Sequence, residues 1–185
     1  LLNGENIFMV TGGNKKGDKD FSFRTIIKYY NGKCVYTDLL SRIVKKNDNY
    51  EINLKFIYYF LTNIKDNINN NYGRGSANQT LDIKNFNRMK IPIPPIDVQN
   101  DVCDLINNNV NETKIIIDLK EINELKKMKY FEMFVKLLGE KTIKKLGKIC
   151  ELKNGTNITK EQLVEGDYPV IGGGVKPMGY HNDYN

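Results

Sequence analysis

Apolar and polar positions alternate in distinct regimes along this chain. Asn6–Val10 and Cys34–Tyr36 are short apolar runs that predict strands. A polar stretch, Thr11–Asp20, separates them. From 53 to 68 the period changes: Leu54, Ile57, Tyr58, Leu61, Ile64 and Ile68 recur at helical spacing, and Asn53 is placed to cap the helix. The asparagine- and glycine-rich residues 69–79 predict a loop. Thr80–Phe86 predicts a short helical turn, followed by Ile91-Pro92-Ile93-Pro94-Pro95. Each proline fixes φ and lacks a donor, so this stretch is expected to lie outside sheets and helices, as a rigid hinge.

Beyond the hinge the pattern becomes a rod. Asp97–Leu138 holds neither proline nor glycine, about 63 Å if fully helical. Ile115, Leu119, Ile122, Leu125, Met128, Phe131, Val135 and Leu138 form an apolar stripe at spacings of three and four, weaker in its first half around Asn107–Asn109. Such a stripe needs a partner helix. Gly139 is a plausible stop. Lys144–Asn185 returns to short strands and turns. The expected fold class is α+β, with three parts: residues 1–96, a spacer helix at 97–143, and an incomplete second globular piece at 144–185.

Composition narrows the function. The chain has 185 residues, 40% of them hydrophobic, enough for a packed core. Its net charge of +6 and pI near 9.0 favour an anionic partner such as nucleic acid. The competing reading is a merely solvated basic surface. Cys34, Cys103 and Cys150 are odd in number and widely spaced, against a disulfide framework or a zinc site. With no apolar run long enough for a membrane span and no signal peptide at Leu1-Leu2-Asn3-Gly4, a cytoplasmic protein is expected. The missing initiator methionine suggests a fragment.

Catalytic patterns are absent from the sequence. Gly172-Gly173-Gly174 matches neither phosphate-loop spacing, and Asp18 stands where the Gly12–Gly17 segment would need a lysine. His181 is the single histidine, which makes a hydrolytic triad improbable. No cofactor or metal is expected. DNA contact is the better use of three segments. Lys15, Lys16, Lys19 and Arg24 suit phosphates. Tyr72, Arg74, Ser76, Asn78 and Gln79 combine base-reading side chains with glycines that allow close approach. Lys176, Tyr180 and His181 form the third candidate set. Each set has an ordinary alternative as a connecting loop or a surface turn.

Several segments, in order, resemble the DNA specificity subunit of type I restriction–modification systems. They are Phe56-Ile57-Tyr58-Tyr59-Phe60-Leu61, Gly75-Ser76-Ala77-Asn78-Gln79-Thr80-Leu81, and Ile91–Pro95 with Gln99. After the rod come Leu146-Gly147-Lys148-Ile149-Cys150, Asn154-Gly155, and Tyr168–Pro177 with Gly179-Tyr180. The resemblance implies a non-catalytic protein with two target-recognition domains held apart by antiparallel coiled-coil helices. Each domain would read half of a split double-stranded DNA site. The helices would dock methyltransferase subunits and, through them, the restriction subunit. In that family a recognition domain begins with the Leu-Gly-x-Ile-Cys-like segment and ends at the proline strand. Here the order is reversed around the rod. Two readings stay open: a piece of a longer subunit, or a circularly permuted half-subunit that forms a homodimer because a ~60 Å rod keeps its two ends from meeting within one chain. The alternative function is a coiled-coil protein–protein adaptor without DNA binding.

Overall fold

The computed structural model describes residues 2–10, 25–46, 50–74, 80–112, 143–174 and 176–182, with side chains through residue 107 in the helix that ends at 112. Strand β1 (Glu5–Val10) is the apolar run expected from the sequence, and every residue after Glu5 is buried. It lies between β2 (Ile27–Asn31) and β4 (Leu40–Lys45) in an antiparallel sheet of order β2-β1-β4-β9, where β9 is Cys150–Asn154. Successive side chains of a strand point to opposite faces. Ile7 and Met9 therefore enter one apolar cluster with Phe56, Ile57, Phe60 and Leu61, while Phe8 and Val10 enter a second with Cys34, Leu40 and Ile171. One central strand thus serves two cores.

The expected helix over 53–68 forms, but in two pieces. Asn53 caps α1 (Leu54–Asn63), its side-chain oxygen accepting from the backbone N–H groups of Lys55 at 2.9 Å and Phe56 at 3.3 Å. Ile64 then leaves helical geometry (φ −96°, ψ 17°), and α2 (Lys65–Asn71) follows it with Ile68 buried. β3 (Val35–Tyr36), β5 (Gly73–Arg74) and β6 (Thr80–Leu81) are short. The short helical turn expected over Thr80–Phe86 forms as α3 (Ile83–Phe86), with Asp82 as its cap.

The proline stretch departs from expectation. Lys90–Pro92 forms β7 and pairs with β8 (Ile143–Lys145) in a two-stranded ladder. Proline is tolerated there because a two-stranded ladder consists only of edges. Helix α4 (Ile96–Glu112) follows at once. Gln99 in its first turn is fully buried. Its Nε2 donates to the carbonyls of Glu51 at 3.0 Å and Pro94 at 2.7 Å, and its Oε1 accepts from the N–H of Asn53 at 2.9 Å. Farther along, the Tyr59 hydroxyl donates to Asn107 Oδ1 at 2.6 Å. Asn107, a weak point of the expected stripe, is a pin between α4 and α1. This first part of the rod packs on its own domain. The pairing positions Ile115, Leu119, Ile122, Leu125, Met128, Phe131, Val135 and Leu138 lie outside the described residues.

The stretch expected to open a second domain joins the first. β9 pairs with β4 from Ser41↔Asn154 to Lys45↔Cys150. β10 (Tyr168–Ile171) runs parallel to β3 and antiparallel to β11 (Gly179–His181). The short helix α5 (Leu146–Ile149) buries Leu146 and Ile149 in the main core. The domain-ending and domain-beginning pieces therefore meet within one chain. The expectation that a straight rod of ~60 Å would hold them apart is overturned by the β4–β9 ladder. Two glycines of the resemblance are explained by close approach. A Cβ on Gly147 would lie 2.8 Å from Asn87 Cβ, and one on Gly155 would lie 2.5 Å from the Tyr36 carbonyl oxygen.

Replacing Gln99 with leucine takes the donor from the buried Pro94 carbonyl and from the Glu51 carbonyl, and the acceptor from the Asn53 N–H. The expected cost is about 2–4 kcal/mol, a fall of about 5–15 °C in melting temperature. A melt within a degree of the parent would show that the knot is not structural. Burial also pushes Cys34 and Cys103 up to about 11 and Cys150 and Tyr59 up to about 12. Above pH ~9 the unfolded thiols ionise while the native ones keep their protons, so the native state binds more protons and stability falls as pH rises. Urea midpoints should hold to pH ~9 and then decline between pH 9 and 12.

Candidate nucleic-acid interface

Three candidate segments leave the described structure close to one stretch of chain, Thr25–Lys28. Val10, at the end of β1, donates its N–H to the carbonyl of Ile26 at 2.9 Å, which closes the base of segment 11–24. The Thr25 N–H donates to Asn69 Oδ1 of α2 at 2.6 Å. Helix α2 runs into β5, whose pairing with β6 (Gly73↔Leu81, Arg74↔Thr80) closes the base of segment 75–79. Lys28, on β2, donates its ammonium to the carbonyls of Gly172 and Gly174. That holds the turn between β10 and β11, where Met178 N–H also donates to the Val170 carbonyl at 2.9 Å. Desolvation lowers the pKa of Lys28, and the two carbonyl dipoles face its positive charge.

The predicted site residues separate accordingly. Arg74 is exposed on β5, opposite Thr80. Lys176 and Tyr180 are exposed on the β10–β11 hairpin, Tyr180 retaining 51% of its surface. His181 is half-buried opposite Tyr168. Tyr72 is half-buried, with its ring edge-on to Phe86 at 5.9 Å, so it anchors the root of segment 75–79 in the core. Lys15, Lys16, Lys19, Arg24, Ser76, Asn78 and Gln79 lie outside the described residues.

Sequence reasoning missed Thr25, Lys28 and Asn69, which tie the three roots together. No local pattern marks them, because the partners of Lys28 lie 144 and 146 residues away. The three cysteines are buried free thiols, held protonated by desolvation. Among the described residues, no three His, Cys, Asp or Glu side chains converge where a metal ion could bind. None of the described helices is long and apolar enough to cross a membrane. What this end of the sheet offers is a rigid base for segments rich in arginine, lysine, asparagine and glutamine, the side chains that contact phosphates and base edges.

A family model described as the type I restriction modification DNA specificity domain matches residues 22–127, more than half of the chain. The chain belongs to this family of non-catalytic DNA-recognition proteins. No curated protein and no solved structure matches it.

Substituting Lys28 with methionine removes both bonds to the Gly172–Gly174 turn. Amide hydrogen exchange at Gly174, Lys176 and Met178 should accelerate about tenfold or more, while Phe8 and Ile43 in the sheet keep their protection. Unchanged exchange in the turn would show that Lys28 does not hold it.

Proposed function

We propose that this chain reads one half of a split DNA site and sets its distance from the other half. The observation that supports it most directly is the convergence of three candidate segments on Thr25–Lys28, in a chain of the specificity-domain family. Residues 1–96 and 144–185 together make one recognition domain, and 97–143 is the spacer. Lys15, Lys16, Lys19, Arg24 and Lys176 hold phosphates, which fixes register without reading sequence. Arg74, Ser76, Asn78 and Gln79 reach base edges, Arg74 toward guanine and the amides toward adenine. Tyr180 and His181 pack against the sugar–phosphate edge.

A split site needs two such domains. The second is supplied by another copy, joined through antiparallel pairing of the stripe from Ile115 to Leu138. A twofold assembly of this kind reads inverted half-sites separated by an unread gap. The outer faces of the paired spacers dock methyltransferase subunits, and the restriction subunit is reached through them. The setting for this machinery is the cytoplasm.

Selection of duplexes from a random pool, together with the mass of the complex by light scattering, tests the proposal. The expected product is a dimer on two inverted half-sites with a constant gap. A monomer that enriches no sequence would overturn it, and a dimer indifferent to DNA would favour a protein adaptor. Arg74→Ala should relax selection at one position per half-site, with a loss of about 1–3 kcal/mol. Lys15→Gln and Lys16→Gln should instead weaken all sequences alike.

A further inference from the structure

We propose a second DNA contact at the opposite end of the sheet: a lysine cleft that grips phosphates on the spacer side of the read bases. It rests on the DNA-reading function above. Among the described residues the cleft, about 400 Å3 in volume, is lined by Lys90, Ile143, Lys144, Lys145 and Lys148, with no carboxylate. Its walls are β7, β8 and α5. Lys90 lies directly opposite Lys145 in the ladder. Like charges in that position repel and destabilise a strand pair. Lys148 follows Lys145 by three residues, close to one helical turn. Lys46 adds a further ammonium beside α5, donating to the Gly147 carbonyl at 3.3 Å.

The floor beneath these lysines is rigid. Ile91, Leu146 and Ile149 are fully buried. The N–H of Leu146 donates to the Met89 carbonyl, and that of Gly147 to the Asn87 carbonyl, both at 2.8 Å. Positive charge is therefore concentrated on a fixed surface at the cost of mutual repulsion, which a bound polyanion relieves. Protein interfaces are depleted in lysine. Phosphate contacts, in contrast, need only a point charge at the right place.

Strand register locates the cleft. Val10 and Leu40 are partners at the end of the sheet that carries segment 11–24, and Thr37 N–H donates to the Ile171 carbonyl at that same end. Lys45 and Cys150 are partners at the other end, immediately after α5. The five steps along β4 span about 17 Å, about five base pairs of duplex at 3.4 Å each. There the chain enters α4. The cleft accordingly meets phosphates of the unread gap between half-sites, not those of the bases being read.

The test uses the full chain and a fluorescent 30-base-pair duplex of random sequence, titrated from 50 to 200 mM salt. The variant is Lys90→Gln/Lys145→Gln/Lys148→Gln. Its slope of log K against log[salt] should be shallower by about 2–3, with affinity at 50 mM reduced about tenfold or more. The sequence selected from a random pool should stay unchanged, and the triple arginine variant should restore the slope. Unchanged slope and affinity in a variant that melts like the parent overturn the cleft and leave the loop reading standing. Loss of methyltransferase-subunit binding with DNA binding intact also overturns it, in favour of a protein-docking cleft. A parent chain without salt-dependent DNA binding overturns the DNA reading itself. If the triple variant fails to fold, Lys148→Gln alone should lower the slope by about 0.9, and no change there overturns the cleft.

Discussion

The attachment of α4 to the sheet domain rests first on a buried amide. Gln99 sits in the first turn of α4, yet its three hydrogen bonds reach the carbonyl of Glu51, the N–H of Asn53 and the carbonyl of Pro94. It thereby joins the start of α1, the proline strand and α4. The prolines make this join necessary. A strand opposite Pro94 or Pro95 would find no N–H there; the ladder ends at Pro92, and the buried Pro94 carbonyl takes its donor from Gln99. A glutamine side chain offers a donor and an acceptor on one rigid amide plane, and the helix delivers it to the spot. The bond from Tyr59 to Asn107, eight residues farther along, adds a second point of attachment. Two points define a direction, so the helix cannot swivel on its proline hinge without breaking one of them.

This explains what was legible beforehand and what was not. The buried run of β1, the Asn53 cap and the Asp82 turn are local events, each written within a few residues. Gln99 was visible only as part of a family resemblance. On a helix otherwise bearing Asp97, Asn100, Asp101 and Asp104, a glutamine looks like one more solvated residue. Its burial comes from groups 5 to 48 positions away. Short strands were expected within 144–185, but the pairing of β9 was illegible for the same reason. Cys150-Glu151-Leu152-Lys153-Asn154 carries little apolar signal of its own, and it is a strand because β4 offers it an edge. Of the candidate site, the types of residue were readable but not their gathering. That depends on Lys28 and Asn69, ordinary polar residues until Gly172, Gly174 and Thr25 are placed beside them.

The two-faced packing of β1 links the ends of the molecule. Because Ile7 and Met9 anchor one cluster and Phe8 and Val10 the other, the strand cannot slip by one residue without turning both faces inside out. Its register is therefore doubly specified. Segment 11–24 starts from the end of this strand, and the α1 helix that holds α4 packs on one of its faces. The root of segment 11–24 and the seat of α4 thus depend on the same few core side chains.

Such an arrangement separates two tasks physically. At one end of the sheet, segments 11–24 and 75–79 can change composition without disturbing the core, since their bases are closed by backbone bonds: Val10 to Ile26, and the β5–β6 pair. At the other end, Gln99, Gly147 and the proline strand admit little change, because each fits a space or a bond that no other residue supplies as well. Side chains beyond those closed bases can then vary while the attachment of α4 stays as it is. A hinge held only by exposed apolar contact would let altered loops shift α4. A hydrogen-bonded knot remote from the loops does not, because its partners are backbone groups whose positions are independent of what the loops carry.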